Sequence, residues 1–126
     1  KIGLTPQRAK NVAGSYDAQH RVLTIIQYSK PANAVDYVNS MWQIQDQPFR
    51  GDVINSYNDG PASPGAKPMG PFYELETSSP AAALPPGGSA IHIHRTFHFS
   101  GPEAKLDEIA KATLGTTLTE IKSALP

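Results

Sequence analysis

Apolar residues in the first hundred positions follow strand-like spacing, which predicts a mainly β chain. The clearest strand is 21–28, because it is rich in β-branched residues and is followed by a Ser-Lys-Pro stop signal. Four further extended segments are predicted at 36–45, 51–57, 71–77 and 90–99. Turn residues fill 58–61. The strands are therefore expected between about residues 21 and 99.

The last quarter of the chain changes to helical spacing. Apolar residues recur there at intervals of three and four: Leu106, Ile109, Ala110 and Leu114. Gly115 is placed to end this helix, and both 100–103 and 117–120 have the Ser/Thr-x-x-Glu spacing of a capping box. We expect a helical hairpin over about 103–125.

Size and charge narrow the function classes. The chain has 126 residues, which suits one domain or a part of one, and its 11 basic and 11 acidic residues cancel. No basic stripe indicates nucleic acid or anionic lipid, and no apolar run reaches the ~20 residues of a membrane span. Cysteine is absent, and no cofactor motif appears. The sequence starts at Lys1 and does not indicate a localisation.

Two carboxylates form the first candidate site. Glu74 and Glu76 lie two residues apart in the predicted strand 71–77, so both project from the same face. Acids aimed together from a sheet serve as a general base or bind a hydroxyl-rich ligand. The alternative is a solvent-facing edge with two solvated acids.

A histidine-rich strand is the second candidate. His92, His94 and His98 share one parity in the predicted strand 90–99, and a His-x-His pair can aim two imidazoles at one metal ion, as in a cupin. A glutamate at cupin spacing is missing, so the preferred interpretation is a polar face that lines a groove or faces water, and a metal site is the minority one. We predict that His92 and His94 line the same groove as Glu76. Arg95 lies on the apolar parity and is predicted to reach Glu74 or Glu76.

Segments 51–60 and 72–89 together resemble an uncharacterised bacterial family of the galactose-mutarotase-like (aldose 1-epimerase) superfamily. The resemblance runs from about Gly3 to Leu118 and covers the C-terminal part of a large antiparallel β-supersandwich. It implies that Glu76 is the base that takes the anomeric hydroxyl proton. The acid histidines of the epimerases have no match here, and Ser78-Ser-Pro replaces the Gln-x-x-Pro-Asp of true mutarotases.

The sequence therefore predicts a carbohydrate-active or carbohydrate-binding protein, with residues 1–126 as a single domain that is the C-terminal part of a larger β-sandwich. The rival interpretation is a non-catalytic saccharide-binding module with an aromatic stacking platform. The predicted ligand-binding residues are Glu74, His92, His94, Arg95, Trp42 and Tyr57, with Tyr73 as another platform candidate. Because strands of a partial sandwich expose hydrogen-bonding edges, we also expect a second copy or a missing N-terminal segment to cover them.

Overall fold

The computed structural model describes residues 1–41, 43–61 and 63–124. Two compact units are present: the first is Lys1–Ala9 with Lys30–His92, and the second is Lys10–Ser29 with Ile93–Pro126. The elements in chain order are β1 (Ile2–Leu4), β2 (Val12–Asp17), β3 (Val22–Tyr28), β4 (Ile54–Asn58), β5 (Tyr73–Thr77), β6 (His94–Ser100), α1 (Glu103–Leu114) and α2 (Leu118–Ser123). The chain is mainly β with a C-terminal helix pair, as the sequence predicts.

The first unit contains an antiparallel sheet in the order β1-β4-β5. Its strands are short, and a close main-chain approach precedes β4. Gly51 donates its N–H to the Tyr37 carbonyl at 2.7 Å. A Cβ on Gly51 would overlap the Val38 carbonyl and lie 2.7 Å from the Asn39 nitrogen, so only glycine fits. Glycine is thus required where the 37–39 segment lies against the start of β4.

The second unit contains an antiparallel sheet in the order β2-β3-β6 together with both helices. One face of β3 and the apolar faces of the helices form a buried cluster: Leu23, Ile25, Leu106, Ala110 and Leu118. The helical spacing in the sequence is thereby explained, because α1 and α2 each contribute to this cluster. Burial of this apolar area is the main source of stability for the unit.

The helix ends differ in how far they match the predicted caps. Gly115 has φ 73° and ends α1 in the left-handed conformation, as expected. Thr117 and Glu120 form the predicted capping box of α2. The predicted box at 100–103 is wrong, because α1 starts one residue after Pro102, which has no side chain able to cap it, and Glu103 is already helical.

Four of the five predicted strands are present with shifted bounds, whereas the strand at 36–45 is wrong. That segment has an isolated bridge between Tyr37 and Arg50. Asn39 accepts a bond from the Met41 N–H through its side chain, and its carbonyl accepts one from Gln45. Such local bonds compete with an extended strand. β1 and β2 were not predicted, because the first is short and the second contains few large apolar residues.

Candidate functional site

Polar side chains gather on one face of the first sheet. In the β4–β5 register Asn55 lies opposite Glu76 and Tyr57 opposite Glu74, so these four side chains share a face. On the other side of β4, Gly3 lies opposite Asn55. We call the surface formed by Gly3, Asn55, Tyr57, Glu74 and Glu76 the acidic face. It brings together three of the predicted site residues, namely Tyr57, Glu74 and Glu76.

Glu76 forms an ion pair with Lys1 across this sheet. The Lys1 Nζ lies 3.3 Å from the Glu76 Oε2, and the two side chains are 43% and 44% exposed. An ion pair this exposed contributes little to stability, and either partner can exchange it for a ligand. Glu76 is therefore accessible, and it is not locked in a buried structural pair. The predicted contact of Arg95 with Glu74 or Glu76 stays a prediction.

A glycine makes room for further oxygen atoms on the acidic face. A Cβ on Gly3 would overlap the Asp52 carboxylate and lie 2.9 Å from the Asn55 Oδ1. Asn55 is only 8% exposed, which makes it one of the buried polar residues of the chain. The sequence analysis missed Asp52 and Asn55. Their signal is the strand glycine itself, since glycine in a strand often marks a close approach by other groups.

Tyr57 combines an aromatic ring with an un-ionised hydroxyl. Partial burial raises the pKa of its phenol, and the negative charges of Asp59 and Glu74 raise that pKa further. The hydroxyl donates to Asp59 Oδ1 at 3.4 Å, and the Phe72 ring centroid lies 6.0 Å from that of Tyr57. A neutral phenol keeps its proton, so Tyr57 can act as a hydrogen-bond donor beside the carboxylates.

Each of three histidines pairs with a threonine hydroxyl. His92 lies before β6 in the first unit and contacts the Thr77 Oγ1 at 2.9 Å, so its predicted place in the strand is wrong. His94 and His98 lie in β6, and the latter contacts the Thr24 Oγ1 at 3.0 Å. Within residues 1–41, 43–61 and 63–124, no three His, Cys, Asp or Glu side chains are placed to hold a metal ion.

The remaining predicted residues fall elsewhere. Tyr73 projects from the β5 face opposite to Glu74 and Glu76. Arg95 lies in β6 of the second unit, as does His94, so neither belongs to the acidic face. Trp42 lies outside the described residues. The Trp42 stacking platform and the joining of His92 and His94 to Glu76 in one groove stay predictions.

A cleft of about 430 Å³ in the first unit is a second feature that the sequence analysis missed. Its polar lining comes from Thr5, Gln7, Asp36 and Arg50. The Arg50 guanidinium donates to the Gln47 Oε1 at 3.0 Å. In such a cleft the Asp36 carboxylate can accept hydrogen bonds from a hydroxyl-rich molecule, and the Arg50 guanidinium can donate them.

Comparison with known proteins identifies the family alone. A search of curated proteins and a search of solved structures both give no match. None of the described helices is long and apolar enough to cross a membrane. Residues 1–125 match a family model described as "Family of unknown function (DUF6786)", and the chain belongs to that family.

Proposed function

We propose that the chain binds a saccharide on the acidic face of its first sheet. The observation that carries this proposal is the alignment of Asn55 with Glu76 and of Tyr57 with Glu74 in adjacent cross-strand pairs. The two carboxylates accept hydrogen bonds from hydroxyls, the amide can both accept and donate them, and the aromatic ring offers an apolar surface to the C–H groups of a sugar. The resemblance to galactose-mutarotase-like proteins independently points to the same ligand class.

Spacing supports this assignment. Side chains directly opposite on neighbouring strands have Cβ atoms about 5 Å apart, which is close to the separation between hydroxyls across a pyranose ring. Glu76 is half exposed and paired with a half-exposed lysine, so a sugar hydroxyl can replace Lys1 as its partner. Tyr57 keeps its proton at neutral pH, as an ordinary phenol does, and its pKa is raised further. Its hydroxyl donates to Asp59 at 3.4 Å, and a sugar hydroxyl can replace Asp59 as the acceptor, whereas Glu74 and Glu76 accept from the sugar.

Anomer exchange is the second candidate, and it rests on Glu76. In that reaction the carboxylate takes the proton of the anomeric hydroxyl, the C1–O1 bond becomes a carbonyl, and the C1–O5 bond breaks. An acid then protonates the ring oxygen. The family resemblance assigns the base to Glu76, whereas the epimerase histidines that supply the acid have no match in this sequence. Binding is accordingly the main proposal and catalysis the alternative.

A sugar titration combined with a rate measurement distinguishes saccharide binding from anomer exchange. We expect galactose or glucose, titrated into the isotope-labelled chain, to shift amide resonances at Asn55, Tyr57 and Glu76 saturably. Glu76→Gln should weaken this binding, whereas Glu108→Gln, on the exposed surface of α1, should not. If the chain also accelerates anomer exchange, measured by polarimetry, Glu76→Gln should lower that rate by about 100-fold or more. Saturable binding without catalysis identifies a binding module, and no saturable shift with either sugar overturns the proposal.

A further inference from the structure

The second unit contains a groove of about 380 Å³ on the face of its sheet that carries the helices. Its floor is aromatic. Phe99 packs against the buried cluster, whereas Phe97, two residues earlier on the same face, is 39% exposed. The two rings are nearly parallel, at 13°, with centroids 6.3 Å apart. Phe97 therefore presents one ring surface beside the helical layer without being part of the core.

Polar groups line the sides of this groove. Asn11 and Gln27 contribute exposed side-chain amides, and Thr113 of α1 contributes a hydroxyl. The Thr113 hydroxyl donates to the Ile109 carbonyl at 2.7 Å, so its lone pairs remain to accept a hydrogen bond. A flat apolar floor with a few polar groups around it is the usual composition of a small-molecule site, and the volume is in the usual range.

A cationic residue, Arg95, neighbours two residues that line the groove, Gln27 and Phe97, without lining it itself. Arg95 lies directly opposite Gln27 in the β3–β6 register and shares its strand face with Phe97. Its side chain is exposed, and it has no ion-pair partner among the described residues of the second unit. An arginine fork binds a carboxylate in bidentate fashion more strongly than it binds a neutral oxygen. The positive charge beside the groove therefore favours an anionic ligand.

We propose that this groove binds a small six-membered-ring compound that carries a carboxylate. The ring lies on Phe97, the carboxylate pairs with Arg95, and the amides of Asn11 and Gln27 bond to further polar groups of the ligand. Two sources share this chemistry, an acidic monosaccharide and an aromatic acid. The proposal does not rest on the acidic face, because none of that surface's residues lines this groove.

Titration of the isotope-labelled chain with glucuronate, benzoate and glucose tests the proposal and distinguishes the sources. We expect saturable shifts at the amides of Gln27, Phe97 and Thr113 with at least one of the two acids. Glucuronate alone would identify an acidic sugar, and benzoate alone an aromatic acid. Glucose should shift these three amides with an affinity at least about tenfold weaker than that of the acid that binds, because it lacks the charge for Arg95. Equal affinity of glucose at these three amides, or no saturable shift there with either acid, overturns the proposal.

Variants locate the binding. Arg95→Gln should weaken the acid by about tenfold, whereas Arg21→Gln, which removes the same charge at the opposite end of β3, should leave the affinity unchanged. Phe97→Leu keeps an apolar side chain in β6 and removes the aromatic ring, so it should weaken binding several-fold while the spectrum confirms the fold. Unchanged affinity in Arg95→Gln contradicts the proposal. Glu76→Gln should have no effect here, so failure at the acidic face and failure at this groove can be told apart.

Discussion

The two units of this chain use their apolar residues differently. In the second unit the apolar side chains of β3, α1 and α2 are buried against one another, with Leu23 fully buried and Leu106 only 2% exposed. The first unit leaves many large apolar side chains in solvent, among them Val35, Val38 and Phe49, which are each more than half exposed. The second unit is therefore stabilised by a buried cluster of sheet and helices, whereas the first buries Tyr37, Val53 and Ile54, leaves more apolar side chains in solvent and depends also on main-chain fit.

Main-chain fit in the first unit is concentrated at glycines. Gly51 allows the Val38 and Asn39 backbone to lie against it, and Gly3 allows the Asp52 carboxylate to lie over β1. The atoms that an added Cβ would meet differ at the two glycines. At Gly51 they are backbone atoms, which cannot rotate away, whereas at Gly3 they belong to the Asp52 carboxylate, which can. Gly51 is thus a structural requirement of the first unit, and Gly3 is a requirement of its acidic face.

Truncation of a core side chain has the largest expected effect, and it tests whether apolar burial stabilises the second unit. Leu106→Ala should lower the free energy of unfolding by about 2–5 kcal/mol, because it removes a buried side chain and leaves a cavity among Leu23, Ala110 and Leu118. Urea denaturation followed by circular dichroism measures the loss. Leu84→Ala makes the same truncation at a side chain that is 50% exposed in the first unit and should cost far less. Equal losses would remove the contrast between the units.

A glycine substitution tests whether the first unit depends on the close main-chain approach at Gly51. Gly51→Ala places a methyl group into the Val38 carbonyl, and we expect a loss of about 1–3 kcal/mol from the overpacking, because the obstructing atoms are backbone. The same denaturation experiment measures it, and hydrogen exchange at β4 should report faster opening. Gly60→Ala is the matched control, since nothing lies within 4 Å of the added methyl group. A Gly51→Ala variant as stable as Gly60→Ala would show that the close approach at residue 51 is not needed.

The difference between the units also explains what the sequence could predict. In the second unit β3, α1 and α2 follow from local signals: β-branched residues, apolar spacing and the capping residues Thr117 and Glu120. β2 is the exception, because its sequence Val-Ala-Gly-Ser-Tyr-Asp lacks a run of apolar residues, and it is placed by pairing with β3. Local signals are sufficient where an element's own residues supply its core face.

Only part of the acidic face could be predicted from the sequence, because only part of it follows from local signals. Glu74 and Glu76 alternate within a single strand, so their common face can be inferred from their spacing. Asn55 and Gly3 enter through the β1–β4 register, which joins residues far apart in the chain, so its local sign is the strand glycine at position 3. The apolar segment at 36–45 misled in the opposite direction, because Val38 and Ile44 share one strand parity but are both exposed.

The smallest expected effect concerns the charge that caps α2 in the second unit. Glu120 accepts the Thr117 N–H at 2.7 Å, and this bond, with further bonds from the Thr117 and Thr116 hydroxyls, lowers the pKa of the carboxyl below its ordinary value of 4.5. Because the folded pKa is the lower one, the charge stabilises the fold above the unfolded pKa. That stabilisation is lost as the pH falls through the folded pKa.

Glu120→Gln keeps the length of the side chain and removes the charge. We expect the variant to be less stable than the wild type at about pH 7, and we expect the difference to shrink towards about pH 3, because the wild-type carboxyl gains protons as the pH falls below its ordinary pKa of 4.5 and through its lowered folded pKa. Urea titrations of both proteins across this range measure the difference. Glu108→Gln, which removes an exposed partner of Lys105 on α1, should produce a smaller change at neutral pH. A Glu120→Gln difference that stays constant down to about pH 3 would mean that the hydrogen bonds of the box, and not its charge, stabilise this end of the second unit.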